Sequence, residues 1–185
     1  PNGAGKTTFV EEYLRRHEVE YLGADKIAKE MAPDHPESVA IAAGREFLER
    51  VYRCLGSDES FIVETTLSGK SFTKALQVAA ENGFEVTIHF VFTDSPETSV
   101  KRVAKRVKAG GHHVPDEDVR RRFARSLSNF WLLYRPLADF WVLAYNGETS
   151  AIQVANGGPN TLSLHDEELF QKFLELAGVE LNDPT

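Results

Sequence analysis

Eight residues at the start of the sequence, Pro1-Asn2-Gly3-Ala4-Gly5-Lys6-Thr7-Thr8, have the types and spacing to hold a polyphosphate. They supply the signature G-x-x-x-x-G-K-[ST] from its second position onward. Gly3 and Gly5 let backbone N–H groups turn inward onto phosphate oxygens. Lys6 is placed to reach β- and γ-phosphates, and the Thr7 hydroxyl suits a magnesium ion. Asn2, Ala4 and Thr8 complete the expected cofactor-binding stretch, with ATP and Mg2+ as its expected ligands. A helix over about 6–16 would aim its positive dipole end at the same anion. Such a loop ordinarily follows a buried strand. The fold's first strand is therefore expected to be missing from this sequence.

Phosphoryl transfer also needs an aligned nucleophile and positive charge for the transition state. Asp25 follows Leu22-Gly23-Ala24 at a strand end and is the candidate base for an attacking hydroxyl. Its structural alternative is a helix N-cap. Glu64 closes the apolar run Phe61-Ile62-Val63, where a charge needs a purpose. It could contact substrate hydroxyls or order a magnesium-bound water, with Thr65 and Thr66 beside it. Arg102 and Arg106 stand one helical turn apart, so both could aim at one anion. One of the two could act as an arginine finger in cis. Gly110-Gly111 would hinge a lid-like segment over 110–129, with His112 and Arg122 as candidate substrate contacts. His112 and His113 are adjacent, face different ways and have no third ligand nearby, which argues against a metal pair.

Composition narrows the class. The chain has 185 residues, 42% of them hydrophobic, which suits one domain over 1–185. Its net charge of -7 argues against general nucleic-acid binding. Nine basic residues against three acidic ones between Lys101 and Arg125 make an island where an anion could be held. A single cysteine, Cys54, excludes an internal disulfide and suits a reducing, cytoplasmic setting. It falls in a helical pattern with Phe47, Leu48, Val51, Tyr52 and Leu55, as a small core residue would. No apolar run is long enough to span a membrane.

Strands and helices are expected to alternate, as in parallel α/β folds. Strands are predicted over 19–22, 60–64, 85–92 and 139–145, with short ones over 151–155 and 161–164. Helices are predicted over 24–31, 37–55, 71–81, 96–108, 116–133 and 166–176, Pro96 standing at a helix start. Trp131, Tyr134, Phe140 and Trp141 are expected in the core. Asp25, Glu64, Asp94 and Asn146 fall at successive strand ends, where open α/β sheets bind ligands.

These segments together resemble the zeta toxin family of P-loop kinases, especially its small stand-alone bacterial members. The matching residues are Pro1 through Thr8, Leu22-Gly23-Ala24-Asp25 and Phe61 through Gly69. A last stretch runs from Arg106 through Gly110-Gly111-His112-His113-Val114-Pro115 to Arg122 and Asn129. The resemblance implies a three-layer α/β P-loop kinase fold with a five-stranded parallel sheet in the order 2-3-1-4-5. It implies ATP-dependent phosphorylation of a hydroxyl, UDP-N-acetylglucosamine being the toxins' substrate. In this sequence Asp25 matches the family's base, Glu64 its substrate-contacting acid and Arg106 its phosphate-directed arginine. An antitoxin protein is the partner such a role implies, beside the small-molecule substrate. Two other readings stand: another metabolite kinase of related fold, and a nucleotide-binding switch module without chemistry. An ABC-type ATPase is excluded, because Leu67-Ser68-Gly69-Lys70 only partly echoes L-S-G-G-Q and follows a strand end.

Overall fold

The computed structural model describes residues 1–111, 113–147 and 150–181. The chain divides into two compact units. The smaller holds residues 6–65 and 104–113. The larger holds residues 1–5, 66–103 and the chain from Val114 onward.

The smaller unit opens with α1 (Lys6–Leu14) and β1 (Glu20–Gly23). Helix α2 (Ala24–Met31) follows directly and stops at Ala32, before Pro33. A 3₁₀ turn over Pro36–Val39 leads into α3 (Ala40–Leu55), so the long helix begins three residues later than predicted. Its buried residues Ala43, Phe47, Val51 and Leu55 recur every fourth position and pack with Leu22, Ile27 and Ala28. Tyr52 is exposed and Cys54 only half-buried, so the predicted apolar face is narrower than its sequence pattern. Burial pushes the Cys54 thiol pKa up. Strand β2 (Phe61–Glu64) pairs in parallel with β1, Gly23 standing opposite Glu64.

The larger unit holds α4 (Thr73–Glu81), β3 (Thr87–Phe92) and the start of α5 (Pro96–Lys108). Helix α6 (Asp116–Asn129) passes into a π-helical turn over Phe130–Tyr134. Then come β4 (Phe140–Asn146), β5 (Ala151–Gly158), β6 (Thr161–Leu164) and α7 (Glu167–Ala177). Strands β3 and β4 are parallel, whereas β4–β5 and β5–β6 are antiparallel. The described strands form two sheets, the parallel pair β1–β2 and a four-stranded sheet in the order β3-β4-β5-β6. The last two strands depart from an all-parallel sheet.

The larger unit's core is aromatic. Phe90 stacks on Phe130 at 4.3 Å, and Trp131 meets Trp141 edge-on at 6.1 Å. Phe173 of α7 sits edge-on to Phe92 at 5.3 Å and to Trp131 at 5.8 Å. Trp131, Tyr134 and Trp141 are buried as expected. Phe140 is exposed instead, since strand alternation turns it to the face opposite Trp141. Among the described residues, no helix is long and apolar enough to cross a membrane.

Candidate functional site

Strand β2 has little room to bury a charge, yet it ends in one. Glu64 is only 18% exposed, and several donors converge on its carboxylate. Thr7 donates its hydroxyl to Oε2 at 3.0 Å and to Oε1 at 3.2 Å. Tyr21 donates to Oε2 at 2.8 Å. The Lys6 ammonium lies 3.9 Å from Oε1. The cluster draws α1, β1 and β2 together at one end of the smaller unit's parallel pair. Sequence patterns suggested the Lys6, Thr7 and Glu64 positions but missed Tyr21.

The charges around Lys6 form a set. Burial pushes its pKa down; the carboxylates of Glu64 and Asp25 push it back up, and the Arg106 guanidinium lowers it further. Asp25 and Arg106 are therefore close enough to act electrostatically on the same ammonium. Asp25 is exposed in the first turn of α2, where an acid suits the dipole. The N-cap of that helix is Gly23, and no side chain caps it. Asp25 is therefore not the N-cap of α2.

Arg106 stands in the last turn of α5, and the two glycines beyond it shape that turn. Gly110 is left-handed, with φ 83°. Its N–H donates to the Val107 carbonyl, and the Gly111 N–H donates to the Arg106 carbonyl, both at 2.9 Å. This is a Schellman ending. A Cβ on Gly111 would come within 2.5 Å of Arg106 Cγ. The pair predicted as a hinge closes the helix one turn beyond Arg106. Arg102, one turn earlier, has a different target: it donates to the Gly147 carbonyl within the larger unit.

The first part of the phosphate loop belongs to the larger unit, where Asn2 and Ala4 are buried. Gly3 and Gly5 have φ of 70° and 93°, the left-handed region the signature requires. A Cβ on Gly3 would meet the Ser99 carbonyl of α5 at 2.8 Å. At the end of β4, Asn146 donates from Nδ2 to the Ala4 carbonyl at 2.8 Å. A Cβ on Gly5 would lie 2.4 Å from the same Nδ2. Gly5→Ala is expected to lose ATP binding by both routes, a forbidden φ and a displaced Asn146. Titration of a fluorescent ATP analogue checks this; wild-type affinity would refute it.

The remaining candidates fall as follows. Thr8 is exposed on α1, and Thr65 follows Glu64 in the smaller unit. Thr66 lies in the larger unit and shares a hydrogen bond with Ser68 at 2.9 Å. The next turn is held hard. Leu67 has φ 54°, a strained value for a branched side chain. Asn129 donates to the Leu67 carbonyl at 2.9 Å, and Tyr134 to the Gly69 carbonyl at 2.6 Å. Arg122 meets Asp118 at 3.5 Å, one turn away on α6. Asp94 accepts from Lys172 at 2.6 Å and from Tyr145 at 2.5 Å, contacts that hold its carboxyl below the usual range. It serves the packing of α7 on the sheet. His112 lies outside the described residues.

Left-handed glycines at a helix start, a lysine and a threonine beside a strand-end acid, and parallel strand pairs define a P-loop domain of α/β class. The family model described as an AAA domain matches residues 1–129, and the chain belongs to that family. An uncharacterized protein of Haemophilus influenzae is 31% identical over 123 residues, spanning 66% of this chain and 86% of that protein. Two solved structures share the fold at low identity. A chain of the AvrRxo1-ORF1:-ORF2 crystal structure with ATP has a TM-score of 0.72 and 18% identity. The match covers 100% of this chain and 63% of that one. A chain from the PezAT chromosomal toxin–antitoxin system of Streptococcus pneumoniae has a TM-score of 0.62 and 16% identity. That match covers 98% of this chain and 77% of the other.

Proposed function

We propose that this chain is an ATP-dependent phosphotransferase acting on a hydroxyl of a small molecule. The observation that carries the reading is the Glu64 carboxylate holding the Thr7 hydroxyl while lying beside Lys6. A threonine that donates its proton to a carboxylate keeps its oxygen lone pairs for a cation. Oxygen donors of this kind suit Mg2+, which takes one or two protein oxygens and completes its shell with phosphates and water. Bound there, the ion would neutralise charge on the β- and γ-phosphates.

The protein's own groups divide the remaining work. Backbone N–H groups of residues 2–8 cradle the phosphates, and Lys6 neutralises them. Asp25 accepts the proton of the acceptor hydroxyl. The hydroxyl oxygen bonds to the γ-phosphorus, the bond from that phosphorus to the β–γ bridging oxygen breaks, and ADP leaves. Arg106 offsets charge on the transferred group. Thr65, Thr66, His112 and Arg122 are the proposed substrate contacts, the last two within a lid-like segment over 110–129 of a single domain. UDP-N-acetylglucosamine is the first acceptor to try, on the resemblance to zeta toxins. An antitoxin partner, supported by the PezAT likeness, and a cytoplasmic setting belong to the same reading.

The test incubates the full-length protein with Mg-ATP and a panel of UDP-sugars, nucleosides and small metabolites, with products read by mass. A phosphorylated product establishes the reading and names the acceptor. ATP bound but unconsumed across the panel would overturn it in favour of a nucleotide switch. Within the same assay, Arg106→Ala is expected to slow transfer by about 10³-fold or more while leaving KM for the acceptor nearly unchanged. A pure KM effect would make Arg106 a docking residue.

A further inference from the structure

Tyr21 and Gly23 lie on one face of β1, because alternate strand residues share a face. Gly23 is the residue paired with Glu64 in the β1–β2 register. The tyrosine therefore reaches diagonally along that face, over a position without a side chain, to the Glu64 carboxylate. The path is narrow. A Cβ on Gly23 would stand 3.1 Å from the Tyr21 hydroxyl and 3.8 Å from Glu64 Cβ. Gly23 has φ -148°, open to any residue, so the glycine is required for space and not for backbone shape. Oε2 of Glu64 accepts from both the Tyr21 and Thr7 hydroxyls, while Oε1 shares the Thr7 hydroxyl at 3.2 Å and faces Lys6 at 3.9 Å.

We propose that Tyr21 is a positioning residue: its hydroxyl fixes the Glu64 carboxylate in the orientation that holds the Thr7 hydroxyl, through the window left by Gly23. This rests on the reading of Thr7 and Glu64 as the pair that orders the magnesium of Mg-ATP. Without the tyrosine, the carboxylate can turn about its last torsion toward the Lys6 ammonium, and Thr7 loses its fixed acceptor. Burial and the Glu64 charge push the Tyr21 pKa up, so the phenol stays a donor throughout the working range.

The test uses the full-length protein and a fluorescent ATP analogue, titrated in EDTA and then with magnesium. In Tyr21→Phe, the magnesium concentration giving half of the metal-supported gain in binding should rise about ten-fold, as loss of a hydrogen bond to a charged group implies. Affinity in EDTA should stay at the wild-type value, which also reports an intact fold. Gly23→Ala, which crowds the hydroxyl, should give a smaller shift of the same sign. In a Glu64→Ala background, Tyr21→Phe should have no further effect. An unchanged magnesium midpoint in Tyr21→Phe would overturn the proposal. So would a loss that persists in the Glu64→Ala background, because that marks a role in packing. If the wild type binds ATP equally with and without magnesium, the Thr7–Glu64 reading fails, and this proposal with it.

Discussion

Lys6→Ala should lose ATP binding by at least about 100-fold, and with it all turnover, since charge-assisted contacts to two phosphates disappear together. The same substitution should leave the melting temperature unchanged or higher. The ammonium is only 18% exposed, and burial already works against its charge. Glu64 keeps its hydrogen bonds from Thr7 and Tyr21 when the lysine is gone. The desolvation that Lys6 no longer bears should offset the loss of its 3.9 Å contact with Glu64, a pattern of function traded against stability. Calorimetry of ATP binding beside a thermal melt reads both halves. Unchanged ATP turnover would dismiss the phosphate loop as the working site. A collapse in melting temperature would instead make Lys6 a structural ion-pair partner.

Asp25→Asn should separate binding from chemistry. The change is isosteric, and Asp25 is exposed and caps nothing, so α2 should fold as before. Loss of a first-turn acid costs only about 0.3–1 kcal/mol. ATP affinity should stay near the wild-type value, while transfer to the acceptor falls by about 10²–10⁴-fold, the usual worth of a positioned base. The fall should be in kcat. Product quantified by mass, with ATP binding measured in parallel, decides the matter. Full transfer in the variant would sink the assignment of the base.

What the sequence made legible follows from the range of the interactions involved. Helices α2 and α5 were read to the residue, because a proline beyond one and a proline at the start of the other act locally. The places of Lys6, Thr7, Asp25 and Glu64 at a helix start and at strand ends could be read because the glycine-rich turn and the short apolar runs mark them locally. Tyr21 could not. Its role depends on the β1–β2 register that puts Gly23 opposite Glu64, a pairing between residues forty-one positions apart. Arg102 and Arg106 look alike on a helix face, and the Gly147 carbonyl that Arg102 meets lies forty-five positions along the chain. Phe140 and Trp141 read equally as core until the faces of β4 are known. The antiparallel ending was hidden for a similar reason: short strands carry no mark of direction.

The hydrogen bond from Asn146 to the Ala4 carbonyl joins residues 142 positions apart. A ribosome adding about 5–20 residues per second makes the loop first and its brace roughly 7–28 s later. For that interval the nascent chain carries the phosphate-loop residues without the side chain that steadies them. Competence to grip nucleotide therefore arrives late in synthesis, with the fourth strand. A chain released before that strand would display the motif and remain inert.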